Sequence, residues 1–430
     1  MKNSGIEWIG NIPDDWGLVR FKDICANKKE VAGSNSTDYE RLALTLNGVI
    51  KRPKEDSEGL QPKEFDGYQI IRENDFIFKM IDLQNISTSR VGLSSYTGLV
   101  SPAYIRFVPR KENQYNKFTY YFLMSMYYNC VYNSLGGNGV RSALNATDMG
   151  QLKIPYPSFE LQKKIVSFLE QKFVAIDELI ANQEKQIEKL KEYKQSVRTE
   201  AVTKGLDTSV PMKDSGIEWI GEIPESWEVC PLKALFSFGK GLPITKENLV
   251  ETGVPVISYG QIHAKWNSCV TTHKELYRFV NRDYLDTNPN SLVKRGDFIM
   301  ADTSEDREGC GNCAYVDTDE EVFAGYHTII LKALGGGNNK YLAYLFLTDC
   351  WRSQIRKNVS GVRLFSTSKR ILSSCTVIMP DYADKIVAFL DEKCGKIDRL
   401  IAIKQEKIEK LQEYKKSLIY EYVTGKKEVG

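Results

Sequence analysis

Residues 164–203 read KIVSFLEQKFVAIDELIANQEKQIEKLKEYKQSVRTEAVT, and residues 385–424 read KIVAFLDEKCGKIDRLIAIKQEKIEKLQEYKKSLIYEYVT. The blocks match along their length, 221 positions apart. In the first, Leu169, Phe173, Ile176, Ile180, Gln183, Ile187, Leu190, Lys194, Val197 and Ala201 follow one another by alternating steps of four and three. In the second, Leu390, Cys394, Ile397, Ile401, Lys404, Ile408, Leu411, Lys415, Leu418 and Tyr422 do the same. This is the heptad stripe of a coiled-coil seam. Polar interruptions fall at matching places, 183/404 and 194/415, where they can fix register. A helix of about 42 residues is roughly 60 Å long and cannot bury such a stripe alone. Two in one chain most simply bury theirs on each other, and pseudo-twofold symmetry makes the pair antiparallel. The seam is expected at Ile176, Ile180, Ile187 and Leu190 against Ile397, Ile401, Ile408 and Leu411.

A second repeat opens each half: SGIEWIGNIPDDW at 4–16 and SGIEWIGEIPESW at 215–227. The stretches between the repeats are far less alike. Period-two or short apolar runs predict strands at 68–71, 75–78, 103–108, 254–259, 297–300 and 328–332. Apolar helical patterns cover 116–134 and 339–358, and a proline-marked segment (IPYP, 154–157; IMP, 378–380) leads into each long helix. The expected architecture is α+β: globular parts at 1–158 and 207–383, long helices at 159–206 and 384–430. A chain with two similar halves builds a pseudo-twofold object, and the obvious pseudo-twofold ligand is double-stranded DNA. Four residues added after Val202, where VTKG leaves the stripe, are expected to move one globular part outward by about 6 Å.

The chain has 430 residues, enough for two cores, and 11% aromatic content, that of a folded protein. No run of about 18 apolar residues predicts a membrane span, and the N-terminus has no signal-peptide pattern. Nine irregularly spaced cysteines do not form a disulfide framework. The expectation is a cytoplasmic protein with reduced thiols. A net charge of +2 argues against a nonspecific polyanion binder, but its distribution is uneven. Residues 83–147 hold one acid, Glu112, against Arg90, Arg106, Arg110, Lys111, Lys117 and Arg141. Residues 350–380 hold no acid against Arg352, Arg356, Lys357, Arg363, Lys369 and Arg370 until Asp381.

Within these zones Gly139-Val140-Arg141 recurs as Gly361-Val362-Arg363. Glycine lets a backbone approach a ligand closely, and arginine can pair bidentately with phosphate or guanine. The candidate DNA contacts are Arg141, Arg363, Asn138, Lys357, Ser360, Lys369, Arg370 and Arg90. Asp75-Phe76-Ile77 recurs as Asp297-Phe298-Ile299 and reads as scaffold, a turn and strand entry. The catalytic search is empty. There is no GxxxxGK[ST], GxSxG or HExxH pattern. Asn288-Pro289-Asn290 only begins to resemble an amino-methyltransferase motif. Cys310 to Cys313 is a lone CxxC, with His263, Cys269 and His273 upstream in no standard zinc arrangement. No metal site is assigned. His327, in AGYHT, reads as structural or as a DNA contact rather than a catalyst.

The opening motifs, with the IVxFL…ID.LI…Q..KIEKL.EYK…E.VT helices, resemble the specificity subunit of Type I restriction–modification systems. The resemblance covers essentially the whole chain. It implies two target-recognition domains, each reading one half of a split, asymmetric DNA site, spaced by an antiparallel coiled coil. It implies docking of two modification (methyltransferase) subunits and of restriction/translocase subunits. It also implies no catalytic activity in this chain. Adenine-N6 methylation and ATP-driven cleavage would belong to the complex, with S-adenosylmethionine, ATP and Mg in the partners. The rival readings are a self-contained restriction–methylation enzyme, which lacks its motifs here, a non-catalytic coiled-coil scaffold, and a silent or orphan specificity chain.

Overall fold

The computed structural model describes residues 1–429 apart from 56–63, 84–89, 111–114, 136–142, 336–338 and 362. The chain forms two compact units, residues 1–184 with 405–430 and residues 185–404. Each long helix is therefore shared. Phe159–Lys204 gives its first part to unit one and its remainder to unit two, and Ala383–Val423 does the reverse. No described helix is long and apolar enough to cross a membrane.

The heptad stripe is the buried face of these helices. Ile176, Ile187, Ile397 and Ile408 are buried, while Ile180, Leu190, Ile401 and Leu411 are half-buried between exposed neighbours. In unit one Phe168 packs on Tyr422, with ring centroids 4.6 Å apart, and Lys415 Nζ lies 2.8 Å from Asp177. In unit two Lys194 Nζ lies 2.6 Å from Asp398, and Lys404 donates to Gln186. Within each unit, higher numbers on one helix meet lower numbers on the other, so the segments pair antiparallel. Lys194–Asp398 and Asp177–Lys415 are one ion pair made twice. The lysines that interrupt the apolar stripe reach carboxylates on the facing helix, which is how a polar seam residue specifies register.

The globular part of each unit is built on a four-stranded antiparallel sheet. In unit one the order is Cys25–Asn27, Ile105–Pro109, Phe76–Phe78, Val91–Leu93. In unit two it is Phe236–Lys240, Thr328–Ala333, Phe298–Ala301, Cys313–Tyr315. Unit two adds a second four-stranded sheet, in which Val254–Ile257 runs parallel to Val322–Ala324. The first sheet's core holds Phe21, Phe76, Phe78 and Phe107 edge-to-face or tilted, with Phe118 and Phe122 from the helix Asn116–Tyr128. Phe236, Phe298, Phe346 and Trp351 fill the matching space in unit two.

The repeated opening motif is a small hairpin. Ser4 and Ser215 each donate a backbone N–H across it, to Gly10 and Gly221. The latter glycines sit at φ +70°, a left-handed turn that a side chain would strain. The motif's last tryptophan, Trp16 or Trp227, is buried. In unit one Trp16 lies against Gly425, just after the second long helix, and in unit two Trp227 lies against Gly205, just after the first. Each opening motif thus packs on the end of a long helix within its own unit, the second helix in unit one and the first in unit two.

Three local expectations are revised. The pattern at 116–134 is two helices, Asn116–Tyr128 and Val131–Leu135, because Cys130 takes φ +54° and breaks the turn. The pattern at 339–358 is also two, Lys340–Phe346 and Asp349–Arg356, because Thr348 N-caps the second by accepting from Trp351 N. The strand expected to reach Tyr259 stops at Ile257, where Ser258 and Gln261 form a capping box and start a helical turn.

Candidate nucleic-acid interface

In unit two, Gly361 and Arg363 of the Gly-Val-Arg motif lie at the tip of a hairpin, and Val362 is outside the described residues. Phe365–Ser366 pairs antiparallel with Thr303–Ser304, and Ser360 bridges to Ser366. Gly361 has φ +149°, and a Cβ there would lie 1.9 Å from the Leu364 carbonyl oxygen. Only glycine fits this turn without displacing the backbone. Arg363 and Leu364 are exposed at the tip. Arg363 makes no ion pair among the described residues, and neither does the exposed Arg370.

The other cations of residues 350–380 are engaged. Arg352 donates to Phe346 O at 2.7 Å. Arg356 pairs with Asp349 at 2.9 Å and Glu308 at 3.1 Å. Lys357 lies over the Trp219 ring, 5.0 Å from its centroid, with Glu218 at 3.7 Å, so it faces the opening motif. Lys369 donates to Phe238 O at 3.0 Å. Ser360 is exposed in the hairpin's bridge. The structure therefore gathers Ser360 and Arg363 on one hairpin and directs Lys357 and Lys369 to other partners.

In unit one Asn138 and Arg141 lie outside the described residues. Arg90 is corrected. It is 1% exposed, and its guanidinium donates to the carbonyls of Ile81 and Asp82 at 2.9 and 2.6 Å. It ties together the chain that leaves the strand Phe76–Phe78, and no surface is left on it for DNA. Arg106 is also buried, 2.7 Å from Asp75 and 3.0 Å from Glu30. Lys117 pairs with Glu170 at 2.6 Å. The acid-poor stretch 83–147 thus draws its counterions from distant sequence.

Near these groups, a cleft of about 760 Å³ is lined by Lys28, Lys29, Arg72 and Arg110 along with Glu30 and Glu73. Hydrogen bonds from Arg72 and then Arg106 hold the Glu30 carboxyl down to about 2, against the upward push of burial. Nothing in the local charge pattern marks this cluster, because Lys28 and Lys29 lie outside the acid-poor stretch.

A second cleft, of about 560 Å³, adjoins the hairpin's partner strand in unit two. Tyr259, His263, Ser304, Glu305, Asp306, Asn312 and Arg352 line it. His263 has both ring nitrogens engaged, with Thr303 O at 2.9 Å and the Asn312 side chain at 3.0 Å. Cys269, Cys310 and Cys313 are buried, and among the described residues no three His, Cys, Asp or Glu side chains come together as metal ligands would. Asp75 and Asp297 occupy the same turn in the two units, accepting from Arg72 N at 2.7 Å and Lys294 N at 2.9 Å.

A family model for the Type I restriction modification DNA specificity domain matches residues 13–189 and again 224–413. The chain belongs to this family. Its two specificity-domain copies begin within the two opening motifs and end within the two long helices. The MjaVIII specificity subunit of a Type I restriction enzyme from Methanocaldococcus jannaschii is 24% identical over 436 residues, covering 96% of this chain and 93% of that protein. A solved chain from a structural study of assembly and conformational transition in a type I R-M system superposes with a TM-score of 0.66 at 14% identity. It covers 96% of this chain and 99% of that one, so the fold extends over both domain copies.

Proposed function

We propose that this chain is the sequence-reading component of a Type I restriction–modification complex, each unit reading one half of a split, asymmetric site on double-stranded DNA. The observation that carries this is the duplicated specificity domain, each copy centred in its own unit, with a matched antiparallel helix pairing in both. In this reading the repeated opening motifs and helices dock two methyltransferase subunits and the restriction/translocase subunits. Those partners bring S-adenosylmethionine, ATP and Mg, and the complex works in the cytoplasm. The chain's own work is to bind DNA and to place the partners on it. Methylome sequencing of a host that carries the chain with its methyltransferase partner tests the proposal. Modified adenines in a single bipartite motif are expected, and methylation without a bipartite motif would overturn it. The purified chain alone is expected to transfer no labelled methyl group from S-adenosylmethionine to that DNA.

The hairpin gives two sharper expectations. Arg363→Ala removes an exposed guanidinium from the tip. It is expected to weaken binding to the half-site read by unit two by about 1–3 kcal/mol and to leave preference at the other half-site intact. Fluorescence anisotropy on duplexes altered in one half-site at a time, at fixed salt, measures this. Gly361→Ala forces a Cβ against Leu364 O, at a local cost of about 1–3 kcal/mol. It is expected to match or exceed the binding loss of Arg363→Ala, because it displaces the hairpin that presents the arginine.

A further inference from the structure

His327 stands where a glycine would be less strained. It has φ +55°, the left-handed region, in the tight turn between the strands Val322–Ala324 and Thr328–Ala333. The turn is closed by Thr328 Oγ1, which donates to Gly325 O at 2.7 Å, and tied to the neighbouring strand by Gly325 N, which donates to Ile257 O at 2.7 Å. The imidazole does not pack in the core, since its side chain is 58% exposed. Its one ionic neighbour among the described residues, Asp302 at 3.4 Å, is a surface contact of the kind that adds little to stability. Neither burial nor pairing explains a strained, exposed histidine. Such outliers concentrate where a side chain is needed for a ligand.

The surroundings orient this side chain. Tyr259 meets the imidazole edge-on at 5.4 Å between centroids, and Tyr326 does so at 6.0 Å. Nδ1 is turned to Asp302, so Nε2 is the nitrogen left for a ligand. Asp302 also links this turn to the Gly361–Arg363 hairpin. Its N–H donates to His327 O at 3.1 Å, and its own carbonyl accepts from Thr367 N at 2.8 Å. The turn and the hairpin are thus both hydrogen-bonded to one residue. The nearby cleft carries Glu305 and Asp306 beside Arg352, with Glu308 paired to Arg356, so it holds more acid than base and does not favour phosphate. A base edge, which presents neutral donors and acceptors, suits this environment better.

We propose that His327, held by Asp302, Tyr259 and Tyr326, reads a base of the half-site taken by unit two. This rests on the DNA-reading function proposed above, and it assigns the residue that carries part of the specificity.

The test uses the full chain with its methyltransferase partner and a library of randomised DNA duplexes, with sequencing of the bound fraction. His327→Gly keeps the left-handed turn and removes the imidazole, so its unfolding midpoint is expected to equal or exceed that of the parent. Base preference at one or two positions of one half-site is expected to fall by about 5- to 100-fold. The same half-site should be the one moved by Arg363→Ala, with the other unchanged. His327→Asn, which also tolerates the turn, should give the same loss or a new preferred base at the same position. Retained preference in both variants overturns the inference. So does equal weakening on all sequences, which would mean a phosphate contact, and so does a lowered midpoint in both variants, which would mean a structural role. A parent complex with no bipartite preference would instead overturn the function proposed above.

Discussion

Asp75→Ala is expected to destabilise unit one by about 3 kcal/mol, while Asp297→Ala, the same position in the repeat, should cost unit two about 1–2 kcal/mol. Both carboxylates cap the turn before their strand through a backbone N–H. They differ in the second partner. Asp75 meets the Arg106 guanidinium at 2.7 Å, and both side chains are almost fully buried, 3% and 4% exposed. Asp297 instead accepts from Ala333 N at 2.9 Å. Removing Asp297 strands N–H groups, each an ordinary hydrogen-bond loss. Removing Asp75 leaves a buried cation with, among the described residues, only Glu30, a half-exposed carboxylate, beside it. Burial already pushes the Asp75 carboxyl above its ordinary value, against the pull of the Arg72 N–H and Arg106. The charge pair is thus sustained by mutual contact, with both side chains almost fully buried at the wall of the unit-one cleft. In a unit of about 200 residues, 3 kcal/mol lowers the unfolding midpoint by roughly 10 °C. Calorimetry of the two single variants should show the larger shift for Asp75→Ala. Equal shifts would mean that Arg106 relaxes into solvent at no cost.

This contrast also marks how far the sequence could be read. The seam residues were legible because a 3.5-residue period written twice leaves few alternatives, and each stripe position is now buried or half-buried. The paired Asp-Phe-Ile turns were legible for the same reason. Charge was not. Arg90 and Arg106 stand in a stretch with a single acid, yet Arg90 is satisfied by backbone carbonyls and Arg106 by carboxylates at positions 30 and 75. A local charge count is blind to partners that sheet pairing brings in from elsewhere. Helix breaks at Cys130 and Thr348 were missed because apolar spacing continues across them, while a left-handed residue and a capping hydroxyl decide the outcome. His327 was visible as a residue, but its strained turn and its tie to the arginine hairpin through Asp302 exist only in three dimensions.

Lengthening both long helices at their shared middle is expected to lengthen the DNA spacer without changing either half-site. The place of insertion matters. Val202, where the stripe ends in sequence, is fully buried in unit two, and its carbonyl accepts the Tyr341 hydroxyl at 2.8 Å. Four residues added there would break a core rather than move one globular part outward. The unit boundary offers a better site, between Glu184 and Lys185 in the first helix and between Lys404 and Gln405 in the second. Insertion at both points keeps Asp177–Lys415 and Phe168–Tyr422 within unit one, and Lys194–Asp398 and Gln186–Lys404 within unit two. Each unit retains its own helix pairing and core. Four residues add about 6 Å and turn the helix by about 400°, some 40° beyond a full turn. Base pairs rise about 3.4 Å each, so the preferred spacer should grow by one to two base pairs. The variant with both insertions should show this in the methylome of a host carrying the methyltransferase partner. A single insertion shifts the facing stripes by about one turn and sets Lys194 or Lys415 against the wrong neighbour, so it should lose bipartite methylation. Unchanged spacing with both insertions, or altered bases in either half-site, would mean that the helices do not set the distance.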